Sequence, residues 1–216
     1  MELHNEYHWV EDLLEHVKFP CHALLVASSP DEIEKTRHYA QEIVDVMDKQ
    51  GLCLSGFDIL DRNSAKHTKE LVDKADIIIA MGGHVPTQNA FFQEIDLKKH
   101  LQEFCGIWIG SSAGSMNSAT LVYAQPELEG EVIDPTYQRF IPGLGLTKKM
   151  ILPHYSSWKN DVVDGLRLLE DVTYPDSQGH TFYLMEDGSY VLGDTEEKIE
   201  EVVGEHYVLR DGVIVQ

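Results

Sequence analysis

The chain has 216 residues, and its 17 Lys and Arg against 37 Asp and Glu give a formal net charge of −20. Hydrophobic residues make up 43% and charged residues 25%, a composition typical of globular proteins and not of disordered chains. The acidic balance argues against nucleic acids and anionic membranes as partners, because both are bound through basic surfaces. The length fits one domain, so we predict a single α/β domain over residues 1–216.

Three cysteines, Cys21, Cys53 and Cys105, lie far apart and form no Cys-x-x-Cys pair. This pattern favours a reducing compartment over a disulfide framework or a cysteine-rich zinc site. Neither a signal peptide nor an apolar run of about 20 residues is visible. We therefore expect a soluble cytoplasmic protein.

The first half of the sequence alternates short apolar runs with amphipathic segments. Residues 1–20 predict a helical extension around Trp9 and Leu13, ahead of the core. Ser29-Pro30-Asp31-Glu32 fits a capping box with Ser29 as the N-cap of the next helix. Strands are predicted at 23–27, 52–60, 76–81 and 106–110, and further helices at 64–74 and 87–104. This alternation predicts an α/β fold with a doubly wound, mostly parallel sheet and helices on both faces.

The second half is less regular. We predict a strand at 150–152 and a helix at 160–170. Asp-Gly pairs at 187–188 and 211–212 predict hairpins at 181–192 and 205–215. Antiparallel hairpins are therefore expected toward the C-terminus.

Residues 110–114, Gly-Ser-Ser-Ala-Gly, follow a predicted strand and fit the Gly-x-Ser-x-Gly pattern of a nucleophile elbow. That turn needs small residues two positions either side of the nucleophile because the backbone is tightly bent. Ser112 is therefore the predicted nucleophile, and the turn aims the Ala113 N–H at the reacting carbonyl oxygen. A phosphate-binding loop or a simple chain turn is the alternative.

A glycine pair, Gly82-Gly83, ends the preceding predicted strand, at the sheet edge where α/β proteins bind ligands. Glycine lets a backbone approach a substrate closely, so the Gly83 N–H is the candidate second oxyanion donor. An ordinary strand-to-helix turn is the alternative. His84 follows and is a candidate substrate-binding residue.

A serine nucleophile needs a general base, and the sequence offers 11 histidines. His154 follows the predicted strand at 150–152, so we expect it at the same sheet edge as Ser112. His84, His180 and His206 are the alternatives.

The base in turn needs an orienting carboxylate. Glu186 lies at the end of a predicted strand, although its Glu-Asp-Gly-Ser context also fits a surface turn. Composition cannot choose among 37 acidic residues. Glu127, Asp134 and Asp187 therefore stay open beside Glu186.

Four motifs in this order resemble the dipeptidase E and cyanophycinase family of serine peptidases: Gly82-Gly83, residues 110–114, Pro153-His154 and residues 186–188. The resemblance runs from about Leu24 to Val215. It implies a fold like that of class I glutamine amidotransferases, with no metal and no cofactor.

Carried over by position, the resemblance implies Ser112 as nucleophile, His154 as general base and Glu186 as orienting acid. It implies the Gly83 and Ala113 N–H groups as the oxyanion hole. Glu127 falls where the dipeptidases place another functional acid, which could hold a substrate's amino group or assist the histidine.

The function predicted from these residues is a serine exopeptidase that hydrolyses short peptides, with aspartyl dipeptides as the implied substrates and a homodimer as a possible assembly. The dipeptidases also carry an arginine beyond the histidine, and the nearby cations here, Lys159 and Arg167, do not align with it.

One alternative is an α/β-hydrolase esterase that uses Asp194 and His206, since that fold orders its triad serine, acid, histidine. The other is an amidotransferase-like binding module without hydrolytic activity.

Overall fold

The structure is a computed structural model that describes residues 4–194 and 199–215. The chain divides into two compact units, Met1–Ser115 and Met116–Gln216. The single domain over residues 1–216 stays a prediction. Among the described residues, no helix has the length and apolar character needed to cross a bilayer.

The first unit alternates strands with helices, as the sequence predicts. In chain order it contains α1 (Trp9–His16), β1 (Cys21–Val26), α2 (Ile33–Lys49), β2 (Leu54–Leu60), a 3₁₀ turn (Ala65–His67), α3 (Thr68–Lys74), β3 (Ile77–Ala80), α4 (Val85–Glu94), α5 (Leu97–Leu101) and β4 (Ile107–Gly110). The next helix, α6 (Ala113–Asn117), begins in this unit.

The four strands of the first unit form a parallel sheet in the order β2-β1-β3-β4. Ala23 and Leu25 of β1 face a buried core shared with residues of α1 and α2. Leu24 points to the opposite face and is fully buried. On that face, Phe92 of α4 packs edge-on against Trp108, whose register matches Leu24. Helices therefore cover both faces, and the predicted fold class is confirmed.

Two helix boundaries differ from the prediction. Residues 29–31 form a turn and α2 begins at Ile33, with Glu32 as an N-cap that makes no side-chain capping bond. The capping box predicted at Ser29 was wrong. The helix predicted at 87–104 is interrupted at Asp96, which has φ 49 and separates α4 from α5.

The second unit is built mainly from short strands. In chain order it contains β5 (Leu121–Tyr123), β6 (Phe140–Pro142), β7 (Met150–Leu152), α7 (Tyr155–Trp158), β8 (Val162–Val163), β9 (Leu166–Arg167), a π-helix (Leu168–Thr173), α8 (Tyr174–Asp176), β10 (Thr181–Met185), β11 (Tyr190–Asp194), β12 (Ile199–Val203), β13 (His206–Arg210) and β14 (Val213–Ile214). Its largest sheet has the order β14-β13-β10-β7, in which β7 and β10 are parallel and the other pairs antiparallel.

The helix predicted at 160–170 was wrong, because those residues form the β8–β9 hairpin and the start of the π-helix. Asp164 and Gly165 both have positive φ, 54 and 80, as a tight hairpin turn requires. The hairpin predicted at 205–215 forms as β13 and β14. The one predicted at 181–192 does not, since β10 pairs with β7 and β13 while β11 pairs with β12.

An ion-pair cluster fastens α3 to the first unit's sheet. Lys74 of α3 donates to Asp58 of β2 at 2.6 Å, and the His22 Nε2 of β1 lies 2.8 Å from the same carboxylate. The hydrogen bond from Lys74 lowers the pKa of Asp58 below its ordinary value of 3.8, against the opposing effect of burial. Folding therefore stabilises the ionised form of Asp58.

We expect Asp58→Asn to lower the free energy of unfolding by about 1 kcal/mol at pH 7. Because folding lowers the pKa, this stabilisation is present above the ordinary pKa of 3.8 and is lost as the pH falls through the folded-state pKa. Urea titrations between pH 7 and pH 3 measure the difference. Glu34→Gln removes a carboxylate that is 87% exposed and serves as the control, with no effect expected. A constant difference at every pH would contradict the electrostatic origin.

Candidate active site

Ser112 lies in a tight turn between β4 and α6. Its φ is 49, in the left-handed region, which costs a residue other than glycine about 1–2 kcal/mol. The turn is held by the Ser112 carbonyl oxygen, which accepts from the Ser115 N–H at 2.9 Å and the Ser115 hydroxyl at 2.6 Å. The residues predicted as an elbow therefore fold as one.

The two elbow glycines are required by close packing. A Cβ at Gly110 would lie 2.6 Å from the Gly114 carbonyl oxygen. A Cβ at Gly114 would lie 2.8 Å from the Ala80 Cβ at the end of β3. Side chains at either position would push α6 away from the sheet, which explains the small residues on either side of Ser112.

The Gly82-Gly83 loop passes directly beside the nucleophile. A Cβ built on Gly82 would lie 3.1 Å from the Ser112 Cβ. Gly83 has φ 156, and a Cβ there would lie 2.7 Å from the Ser28 Cβ. The loop's start is fixed by Gln88, a buried α4 residue whose side-chain amide donates to the Met81 carbonyl at 2.7 Å. Glycine is therefore needed for the backbone to reach this place.

Ser28, which follows β1, is a residue that sequence reasoning missed. It is 9% exposed, and its hydroxyl donates to the Gly82 carbonyl oxygen at 2.6 Å. Its only sequence signal is its position just after a buried strand, at the edge where β3 and β4 also end.

In the second unit, His154 lies between β7 and α7. Its φ of 60 is again left-handed, and its carbonyl oxygen accepts from the Ser157 N–H at 2.8 Å. The His154 Nδ1 lies 2.5 Å from an Asp187 carboxylate oxygen, and each of these side chains is 48% exposed. The structure thus places a carboxylate on the predicted base while leaving the ring accessible.

Glu186 occupies a different position. Its carboxylate accepts from the Ser156 hydroxyl at 2.7 Å and from the Ser156 N–H at 3.2 Å, at the start of α7. Lys159 donates to the same hydroxyl oxygen at 3.1 Å. The structure therefore brings Asp187, and not Glu186, to the His154 ring. Glu186 instead stabilises the start of α7 through its hydrogen bonds with Ser156.

Glu127 is exposed in a loop that two other carboxylates hold in place. Its own N–H donates to the Glu131 carboxylate at 2.8 Å. Asp164, at the β8–β9 turn, accepts from the Gly130 N–H at 2.6 Å and the Val132 N–H at 3.0 Å. The loop that carries Glu127 is therefore held by hydrogen bonds from its backbone N–H groups to carboxylates.

The other candidate histidines have local partners. His84 Nδ1 lies 2.8 Å from the Thr87 hydroxyl at the start of α4. The ring of His180 stacks on Phe140 with 4.5 Å between centroids. His206 lies in β13, as predicted, with Nδ1 2.9 Å from a backbone carbonyl.

Two further candidates are also engaged. The Asp134 carboxylate accepts from both the N–H and the hydroxyl of Thr136. Arg167 makes a bidentate pair with Asp171 at 2.6 and 3.0 Å. Among residues 4–194 and 199–215, no group of His, Cys, Asp and Glu is arranged to hold a metal ion.

A serine in a strained turn between a strand and a helix is typical of the nucleophile elbow of hydrolytic enzymes. Residues 26–200 match the sequence profile of Peptidase family S51. Because the match spans most of the chain, the chain belongs to this family, the dipeptidase E family, and is a peptidase. The predicted family is confirmed.

The fold is similar to a 1.5 Å crystal structure from Listeria monocytogenes EGD-e, of a protein provisionally named a peptidase E. The TM-score is 0.63 at 17% sequence identity, over 90% of this chain and 93% of that chain. At this identity the likeness shows the fold alone. No curated protein matches the sequence.

Proposed function

We propose that this peptidase is a serine exopeptidase of the dipeptidase type, with Ser112 as nucleophile and His154 as general base. The observation that carries the proposal is the left-handed φ of 49 at Ser112, held beside a glycine loop in which a Cβ added at Gly82 would lie 3.1 Å from the Ser112 Cβ. Strained residues persist where the surrounding structure fixes them, most often at functional sites. Membership of family S51 supports peptides as the substrates.

Asp187 is proposed as the orienting acid, in preference to Glu186, because it is the carboxylate beside the His154 Nδ1. An Nδ1–H that donates to Asp187 leaves the Nε2 lone pair free to accept a proton. Glu186 is assigned a structural role at the start of α7, through its two hydrogen bonds with Ser156.

In the proposed mechanism, the Ser112 hydroxyl attacks the acyl carbon of the peptide while His154 accepts its proton. The N–H groups of Gly83 and Ala113 bind the developing oxyanion. His154 then protonates the leaving amine, and water hydrolyses the acyl-enzyme with His154 again as the base.

Glu127 is proposed to bind the free amino group of the substrate. Its carboxylate is exposed, and the loop around it is held by Glu131 and Asp164. The net charge of −20 also favours substrates that carry a positive charge. Aspartate at the acyl side is the residue that the family resemblance implies, and burying its carboxylate would need a cation such as Lys159.

A fluorophosphonate probe is expected to label the wild-type protein at Ser112, because such probes react with serines activated by a general base. Ser112→Ala should lose all labelling. Mass spectrometry of the labelled peptide makes the assignment. Ser111→Ala is the matched control, since it removes the neighbouring hydroxyl and should label as wild type does.

Equal labelling of Ser112→Ala would show that the nucleophile is elsewhere.

The same proteins then test the proposed exopeptidase activity on dipeptides with a free amino group and on their N-acetylated forms. Hydrolysis of the free forms alone is expected, and equal hydrolysis of the acetylated forms would exclude a strict exopeptidase.

A further inference from the structure

Ser28 is a buried polar residue that the mechanism so far leaves unused. Its hydroxyl donates to the Gly82 carbonyl oxygen at 2.6 Å, and the side chain is 9% exposed. The bond links the loop after β1 to the loop after β3, two neighbouring strands of the parallel sheet. Ser28 therefore contacts the loop that carries the proposed oxyanion donor.

This contact acts on one peptide unit. The Gly82 carbonyl and the Gly83 N–H belong to the same planar trans peptide, in which the C=O and N–H bonds point in opposite directions. A hydrogen bond that fixes the carbonyl therefore also fixes the direction of the N–H. It polarises the peptide as well, which strengthens the N–H as a donor.

The glycine loop lies between two serines. The side-chain position of Gly82 is 3.1 Å from the Ser112 Cβ, and that of Gly83 is 2.7 Å from the Ser28 Cβ. Ser28 thus lies beside Gly83, and the nucleophile lies beside Gly82. With a glycine at each contact, the loop has no side chain of its own to restrict its peptide planes.

The segment that carries Ser28 is itself firmly held. Val26, at the end of β1, accepts from the Met81 N–H at 3.0 Å, which extends the pairing of β1 with β3. Pro30 accepts from the Arg62 N–H at 3.1 Å, and the Arg62 guanidinium pairs with Asp31 at 2.7 Å. These hydrogen bonds therefore hold the segment that carries Ser28 in place.

We infer that Ser28 is a positioning residue, whose hydroxyl orients the peptide between Gly82 and Gly83 so that the Gly83 N–H stabilises the oxyanion. The inference rests on the proposed function, in which Ser112 is the nucleophile and Gly83 the donor. Loss of an oxyanion donor costs about 10²–10³ in kcat. Ser28→Ala keeps the Gly83 N–H but no longer fixes its direction, so a smaller fall in kcat, of about 10–100-fold, is expected.

The test measures how fast a fluorophosphonate modifies Ser112, together with kcat and KM for a dipeptide substrate. The phosphoryl oxygen gains charge in this reaction as the oxyanion does. Ser28→Ala should lower the labelling rate and kcat by about 10–100-fold and change KM by less than about threefold. Ser29→Ala, at the next residue, is the control and should behave as wild type does. Urea unfolding of each variant confirms that folded protein is compared.

The outcomes separate the two proposals. If the wild type is not labelled at Ser112, the proposed function fails. If the wild type is labelled and Ser28→Ala is labelled at the same rate, the inference about Ser28 alone is overturned. A variant that raises KM with kcat unchanged also overturns it. Should Ser28→Ala not fold, Ser28→Cys keeps the volume with a weak donor, and the same fall in rate is expected.

Discussion

Asp187→Asn is expected to lower kcat by about 10³–10⁴-fold, whereas Glu186→Gln should lower it by less than about tenfold. The Asp187 carboxylate lies 2.5 Å from the His154 Nδ1 and can fix the ring with its proton on that nitrogen. An amide in its place can donate to Nδ1, which moves the proton to Nε2 and removes the general base. Glu186 hydrogen-bonds Ser156 and has no such effect on the ring.

The measurement compares kcat and KM of both variants on one dipeptide at neutral pH. The two substitutions are matched, since each exchanges one carboxylate for its amide at adjacent positions. Unfolding in urea serves as the control for Glu186→Gln, which should lose some stability with its two bonds to Ser156. A larger loss of kcat in Glu186→Gln than in Asp187→Asn would make Glu186 the orienting acid.

The first unit could be predicted well from sequence because its two central strands, β1 and β3, are buried on both faces. All four residues of β3 are buried, so the strand reads as an unbroken apolar run ending at a glycine pair. The elbow could be recognised for a related reason. Its glycines are required by close packing, since a Cβ at Gly114 would lie 2.8 Å from the Ala80 Cβ at the end of β3.

The second unit was harder to predict because its strand partners are distant in sequence. β10 pairs with β7 and β13. The Asp-Gly pair at residues 187–188 predicts a turn but does not indicate which strands pair with β10. Asp164-Gly165 was a hairpin signal that the apolar spacing of residues 160–170 obscured. The choice between Glu186 and Asp187 depends on the direction of each side chain after Met185, which neither residue type encodes.

Ser112 and His154 share a backbone feature that composition alone does not show. Each follows a strand, precedes a helix and has left-handed φ, at 49 and 60. Aspartate, found in this conformation at positions 96, 164 and 211, is one of the residues other than glycine that are enriched in it. Serine is not enriched in this way, so a serine with left-handed φ indicates that the surrounding structure imposes the turn. Stability at the elbow and reactivity of Ser112 should therefore depend on the same contacts.

Gly114→Ala is accordingly expected to lower both stability and activity. The new Cβ would lie 2.8 Å from the Ala80 Cβ and 2.9 Å from the Ala80 carbonyl carbon, so α6 must move away from β3. Overpacking of this kind costs about 1–3 kcal/mol. Because Ser112 is two residues away, its attack geometry shifts too, and we expect labelling by a fluorophosphonate to slow by at least about 100-fold.

Gly193→Ala is the matched control for this substitution. In β11, the nearest atom to an added Cβ is 3.5 Å away, which is ordinary van der Waals contact. Its free energy of unfolding and its labelling rate should stay within about 0.5 kcal/mol and twofold of wild type. Urea titration and labelling kinetics measure both variants. If Gly114→Ala matched the control in both, the close packing of the elbow on β3 would not be what sets the reactivity of Ser112.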